Sequence, residues 1–250
     1  MESLTPHGDP YAPAPEPRDT FLRRLADLVA RPGRLMQRVG AAPRWWQAGL
    51  LMAVVVAASS WLIAPIDLDE QMERLSGKRD AWPYSMMADE DFAQMLDRGA
   101  ALTPSKRIGN AVGGGLVLWG STVVFGLILG FFVKMAGGTG TKWQAVGIVT
   151  WSQLLPFCLD PLIRTPLVLA LGSSRAVNFG LAALVPLETS KVGYVLLTVY
   201  GGFAMWWGLT VMVRGFERVY GVTRQVAAVS VLAPWAVLSL INVGFLLLAL

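Results

Sequence analysis

Residues 137 to 142 read GGTGTK, and glycines followed by a hydroxyl and a lysine are the materials from which a phosphate-cradling loop is made. Such a loop needs G-x-x-x-x-G-K-[ST] between a strand and a helix, so that successive N–H groups face the phosphates and the lysine reaches the terminal one. Here Thr141 precedes Lys142 where glycine belongs, and Trp143 occupies the hydroxyl position. Long apolar runs flank the motif on both sides. The sequence therefore predicts a short turn between two membrane helices, with Gly137 and Gly138 ending the first and Lys142 held at the cytosolic headgroups, and it predicts no nucleotide site.

Other chemistry is sparse. A lone histidine, His7, excludes a His-based metal site and a Ser-His-Asp triad, and a lone cysteine, Cys158, excludes an intrachain disulfide. Asp89-Glu90-Asp91 lacks the alternating spacing of an EF-hand loop and reads as the solvated start of a helix. With no H-E-x-x-H and no G-x-S-x-G, the expectation is a protein without catalytic residues, metal or cofactor. Asp160 and Arg164 stand four residues apart near the end of an apolar run that also carries Gln153. Ionisable groups inside a membrane are functional by default, and on that reading the three would line a polar path in a small permease or channel. Placed at a helix end and neutralising one another, the charged pair would instead be an interfacial anchor. Pro156, Pro161 and Pro166 fall in the same run, so it should bend or break there.

The elements that must carry these residues follow from composition. In 250 residues, 54% are hydrophobic and only 15% charged, with a mean hydropathy of +0.50; soluble domains carry about 25% charge. Stretches long enough to cross a hydrocarbon core of about 30 Å lie at about 46–65, 108–134, 143–163, 192–213 and 225–250. Trp45, Trp46 and Trp61 suit the two interfaces. Two GxxxG pairs, Gly109 with Gly113 and Gly126 with Gly130, offer small surfaces for close helix contact. Residues 66–107 form a polar loop on the exterior side, with short amphipathic patterns at Leu68/Met72/Leu75 and Phe92/Met95/Leu96 and a helix start at Thr103-Pro104. The apolar stretch 167–187, interrupted by Arg175, Asn178 and Pro186, reads as re-entrant or interfacial.

Ahead of the first span, residues 1–18 hold five prolines and predict a disordered tail. In 19–44, Phe21, Leu25, Leu28, Leu35 and Val39 make an apolar stripe among Arg23, Arg24, Arg31, Arg34 and Arg38, divided by Pro32-Gly33. Basic amphipathic helices of this kind are expected on the membrane surface, the alternative being that they pack on their own bundle. The bases are too dispersed for nucleic acid. Twelve Lys/Arg fall in segments that are cytosolic when the N-terminus is inside, against nine outside. The sequence thus predicts an all-α polytopic membrane protein of about five spans, N-terminus cytosolic and C-terminus exterior, in contact with lipid and with another membrane protein.

RPGRLMQRV and PRWW before the first span, GGTGTKWQAVGIVTWSQLLPF, and WWGLTVMVRGFERVYGVTRQVAAVSVLAPW before the last together resemble the Yip (Ypt-interacting protein) domain family over residues 21 to 250. The resemblance implies a five-span, N-cytosolic membrane protein without known catalytic residues. Eukaryotic members of that family interact with Rab-type guanosine triphosphatases in membrane traffic, and some prokaryotic members are proposed to accompany ABC-type exporters. This chain lacks the D-L-Y-G-P type motif near the first span and inserts loop 66–107, so Rab binding does not carry over. Its Ala, Gly, Arg and Pro usage is similar to that of a bacterial inner-membrane member.

Overall fold

A computed structural model describes residues 19–77, 84–100, 103–174, 177, 190–200 and 202–249. The tail 1–18 and most of the stretch after Ser174 that reads as re-entrant lie outside the described residues. Among those described, every regular element is helical and no strand occurs.

Two short helices come first, α1 (Phe21–Ala30) and α2 (Pro32–Ala41). Thr20 caps α1 through its hydroxyl, and Pro32 opens α2 at a position where its missing N–H has no helical partner to lose. Their apolar stripe does not face lipid. Leu28, Leu35, Met36 and Val39 are buried in the core of the bundle, so the stripe packs on its own protein, the alternative of the two readings. Glycines make the crossing possible: a Cβ on Gly40 would meet Val219, one on Gly33 the Arg218 guanidinium, and one on Gly147 would lie 2.9 Å from Val39.

Three long helices form the centre, α3 (Trp45–Ser76), α5 (Pro104–Met135) and α6 (Lys142–Leu171). Helix α3 runs on past Pro65 to Ser76, taking up the Leu68/Met72/Leu75 pattern as continued helix. The polar insertion is thereby shortened, and it holds α4 (Asp89–Ala100), whose first turn contains Asp89, Glu90 and Asp91. Thr103 caps α5, its hydroxyl accepting from Lys106 N at 3.4 Å. Small residues set the spacing of the three: a Cβ on Gly115 would lie 2.6 Å from the Ala53 carbonyl, on Gly126 2.8 Å from Val146 Cα, and on Gly130 2.6 Å from Ala145 Cβ. Without a hydrophobic driving force between helices in lipid, such backbone approach is what holds them together. The other GxxxG pair behaves differently, since a Cβ on Gly109 or Gly113 would meet nothing within 4 Å.

Helix α6 does not break at its prolines; it is continuous through Pro156, Pro161 and Pro166. Each proline removes one N–H from the ladder and frees the carbonyl four residues back. At Pro156 that carbonyl belongs to Ser152, and Gly208 of the neighbouring helix sits so close that a Cβ there would lie 2.9 Å from it. About two and a half turns later, Ser59 and Thr165 share a 2.6 Å hydroxyl bond between α3 and α6. Neighbouring helices therefore hold α6 straight enough to remain one element.

The last segment departs from expectation. Where the fourth of the five expected spans falls, at 192–213, the chain makes α7 (Lys191–Tyr200) and then α8 (Phe203–Tyr220), with Gly202 extended at the start of α8. Helix α9 (Arg224–Ala249) follows. Among the described residues, four helices, α3, α5, α6 and α9, are long and apolar enough to cross a membrane; α8 carries Arg214, Glu217 and Arg218 near its end, which interrupts its apolar run.

Gly126→Ala should lower the melting temperature in detergent, by the equivalent of about 1–3 kcal/mol for overpacking against a backbone. Gly113→Ala should leave it unchanged or raise it slightly, by up to about 1 kcal/mol for helix propensity. Thermal unfolding of the two variants side by side checks both.

Candidate functional site

Two polar constellations stand at opposite ends of α6. At its start, the GGTGTK turn reverses the chain through Gly137, whose φ of +93° is a conformation that suits glycine. The turn's N–H groups are directed inward. Gly137 N donates to Lys134 O, Gly138 N to Val133 O at 3.0 Å, and Thr139 N to Tyr220 O at 3.0 Å. Thr141 N donates to Gln144 Oε1 at 2.7 Å, and the Thr141 hydroxyl accepts from Gln144 N, which closes a capping box at the start of α6. The Tyr220 ring fills the hollow of the turn: a Cβ on Gly140 would lie 2.4 Å from it and one on Gly138 2.8 Å. The phenol donates to Thr141 O at 2.8 Å. Four N–H groups of the turn, those of Gly137, Gly138, Thr139 and Thr141, are thus spent within the protein, and the Tyr220 ring occupies its hollow.

Around that turn the basic helices are locked down. Arg24 is fully buried, and a buried cation is stable only when paired and hydrogen-bonded. Its Nε lies 3.0 Å from Asp19 Oδ1, its Nη2 2.8 Å from Ala42 O, and its guanidinium carbon 5.7 Å above the Trp151 ring. Arg38 joins the two acids of the cluster, at 3.5 Å from Asp19 and 3.4 Å from Asp27. The bound Arg24 guanidinium holds Asp19 below its ordinary carboxyl value, against an opposing contribution from burial and with help from Arg44 and Arg38. Burial pushes the Tyr220 phenol up to about 12, partly offset by the Ala145 backbone. Gln144 completes the head by donating to Gly40 O at 2.6 Å. At its margin Trp45 stacks on Trp143 at 5.7 Å, and the Lys142 ammonium lies 5.5 Å from the Trp143 ring, a grouping suited to a headgroup layer.

Toward the other end, Glu70 of α3 accepts from Ser173 Oγ at 2.6 Å, Ser174 N at 2.9 Å and Ser174 Oγ at 2.8 Å. These bonds fasten the chain where α6 ends at Gly172, itself left-handed with φ +65°. The expected Asp160–Arg164 pair does not form. Arg164 turns instead to Ser174 O, at 3.4 Å, and Asp160 is exposed. The reason is positional: the chain folds back after Gly172 and brings a carbonyl within reach of the guanidinium.

Of the residues singled out in the sequence, Gly126 and Gly130 lie in the α5–α6 seam, Gly138 lies under Tyr220, Pro156 lies against Gly208, and Gly137 and Lys142 face outward at the turn. Tyr220, Arg24 and Glu70 went unnoticed. Tyr220 precedes Gly221, which ends α8 with φ +67°, so a helix stop was visible but its target was not. Arg24 resembles its arginine neighbours in every local respect. Among the described residues no group of three or more His, Cys, Asp or Glu could hold a metal ion.

A model of the Yip1 domain matches residues 26–245. No curated protein and no solved structure gives a match.

Tyr220→Phe removes one buried hydrogen bond and should cost about 1 kcal/mol, read as a lower melting temperature with the fold intact. Because the Asp19 pKa is lowered on folding, its contribution is complete well above the ordinary value of 3.8 and is lost as pH falls below it toward the folded value. Thermal unfolding between pH 6 and pH 3 should therefore show Asp19→Asn less stable than the native protein at pH 6, with the two converging at the acid end.

Proposed function

The chain belongs to the Yip1 domain family, and we propose that it is a non-enzymatic integral membrane scaffold or accessory subunit that packs against another membrane protein. In this proposal the membrane is the bacterial inner membrane, the head formed by α1, α2 and the GGTGTK turn is cytosolic, and the larger assembly is of the ABC export type. The concentration of arginines ahead of α3 supports the orientation.

One observation carries the reading. Gly109, Gly113, Leu116, Gly120 and Val124 recur at intervals of three and four along α5 and so share a face. A Cβ on Gly109, Gly113 or Gly120 would meet nothing within 4 Å, while Leu116 and Val124 are 55% and 56% exposed. The same helix uses Gly115, Gly126 and Gly130 for contacts with α3 and α6. A small-residue face left open on a membrane helix is the surface on which a further helix makes close backbone contact. The permease alternative would need Gln153, Asp160 and Arg164 directed at one path, and the engagement of Arg164 with Ser174 O favours an anchoring role instead.

Affinity purification in mild detergent tests this. A membrane protein should accompany the native chain and be lost, by at least tenfold, from Gly113→Leu/Gly120→Leu, whose own melting temperature should match the native value. Recovery of the native chain alone, together with solute flux in liposomes that contain it, would overturn the scaffold reading in favour of a permease.

A further inference from the structure

We propose that the cleft between α8 and α9 binds one anionic phospholipid, its phosphate held between Arg214 and Arg224 and an acyl chain lying in the trough beneath. The cleft has a volume of about 210 Å³. Leu209 and Val213 wall it on α8, Ala228 and Leu232 on α9, and Trp206 lies at its deep end, with both arginines among its lining residues. The two helices are antiparallel neighbours joined by residues 221–223. Arg224 therefore opens α9 level with the head of the molecule, where Tyr220 O accepts from Thr139 N. Arg214 starts six residues before Tyr220 on α8, about 9 Å deeper at 1.5 Å per residue, a depth from which an arginine extends toward the headgroups.

Charge and polarity agree on the occupant. No acid is among the residues that line the cleft with the two arginines. Glu217, one turn nearer the surface, approaches Arg214 at 3.5 Å in a partly exposed pair, a geometry of small energetic weight. Arg224 makes no ion pair among the described residues. The first turn of α9, capped by Thr223, adds the partial positive charge of a helix start. Below that level the walls are apolar apart from Thr210, whose hydroxyl donates to Trp206 O at 2.9 Å, and a free anion would leave them uncovered at a depth where the surrounding solvent is hydrocarbon. A basic mouth over an apolar trough between membrane helices matches the two halves of a phospholipid. The site lies on α8 and α9, apart from the open face of α5, so its test is independent of the scaffold proposal.

Native mass spectrometry of the full chain in mild detergent, equilibrated with equimolar phosphatidylglycerol and phosphatidylcholine, reads the site directly. One phosphatidylglycerol should be retained in preference. Each arginine removed should weaken it about fivefold, so that Arg214→Gln/Arg224→Gln retains both lipids equally while the double lysine variant keeps most of the preference. Ala228→Leu, which fills the trough and leaves the charges, should also release the lipid, and it carries the test should the double glutamine variant melt early. Equal retention of the two lipids by the native chain, an unchanged preference in a folded double glutamine variant or in Ala228→Leu, or displacement of the lipid by inorganic phosphate would each overturn the proposal.

Discussion

Tyr220 is the point on which the head of this molecule turns. Its ring is enclosed by the glycines of the GGTGTK turn, its phenol bonds to Thr141 O, its carbonyl accepts from Thr139 N, and a Cβ on Gly130 would lie 3.1 Å from its oxygen. One side chain thus connects the end of α5, the turn, the start of α6 and the end of α8. The connection depends on residues without side chains of their own, because a bulky residue at 138 or 140 would occupy the space of the ring. Thr141 and Gln144 then tie the same turn to Gly40 and hence to α2. Where six residues offered the outline of a nucleotide site, the N–H groups of Gly137, Gly138, Thr139 and Thr141 are spent on closing a hairpin.

The helices below obey the rule that lipid imposes: with apolar solvent on all sides, contact area and backbone approach replace burial from water as the force between elements. Gly115, Gly126 and Gly208 stand where α3, α6 and the Ser152–Pro156 turn come closest. Polar groups that remain are given partners between helices, as with Ser59 and Thr165 or Glu70 and the two serines after α6. The buried Arg24 follows the same logic at the surface, where Asp19, two carbonyls and the Trp151 face together replace its water. The open glycine face of α5 stands apart from this pattern, and for that reason the scaffold proposal places a partner there.

Much of this was legible in the sequence, for identifiable reasons. Length and hydropathy mark an apolar run whatever its neighbours, so α3, α5, α6 and α9 were visible, and the apolar runs flanking GGTGTK were enough to place a turn there. Motif spacing on one helix, by contrast, says nothing about what stands opposite. Gly109–Gly113 and Gly126–Gly130 are the same pattern, yet the second meets α6 and the first meets no described atom. The apolar stripe of α1 and α2 is compatible with lipid or with protein, and only the presence of Gly40 against Val219 and Gly33 against Arg218 decides for protein. The prolines of α6 predicted an interruption because the compensating neighbour, Gly208, lies some fifty residues on in the chain. Asp160 and Arg164 looked paired because their spacing is local, whereas the carbonyl that claims Arg164 appears only when the chain folds back beyond Gly172.

The closing of the basic helices over the turn and the end of α8 is most directly tested by one cross-link. A Cβ on Gly40 would lie 3.9 Å from Val219 Cβ, within the range of about 3.5–4.5 Å that a disulfide requires. In a Cys158→Ser background, Gly40→Cys/Val219→Cys should therefore oxidise in native membranes to a single cross-linked species, reversible by reductant. Failure to cross-link, with both thiols open to a polar alkylating reagent, would place α2 away from α8 and contradict a head built around Tyr220.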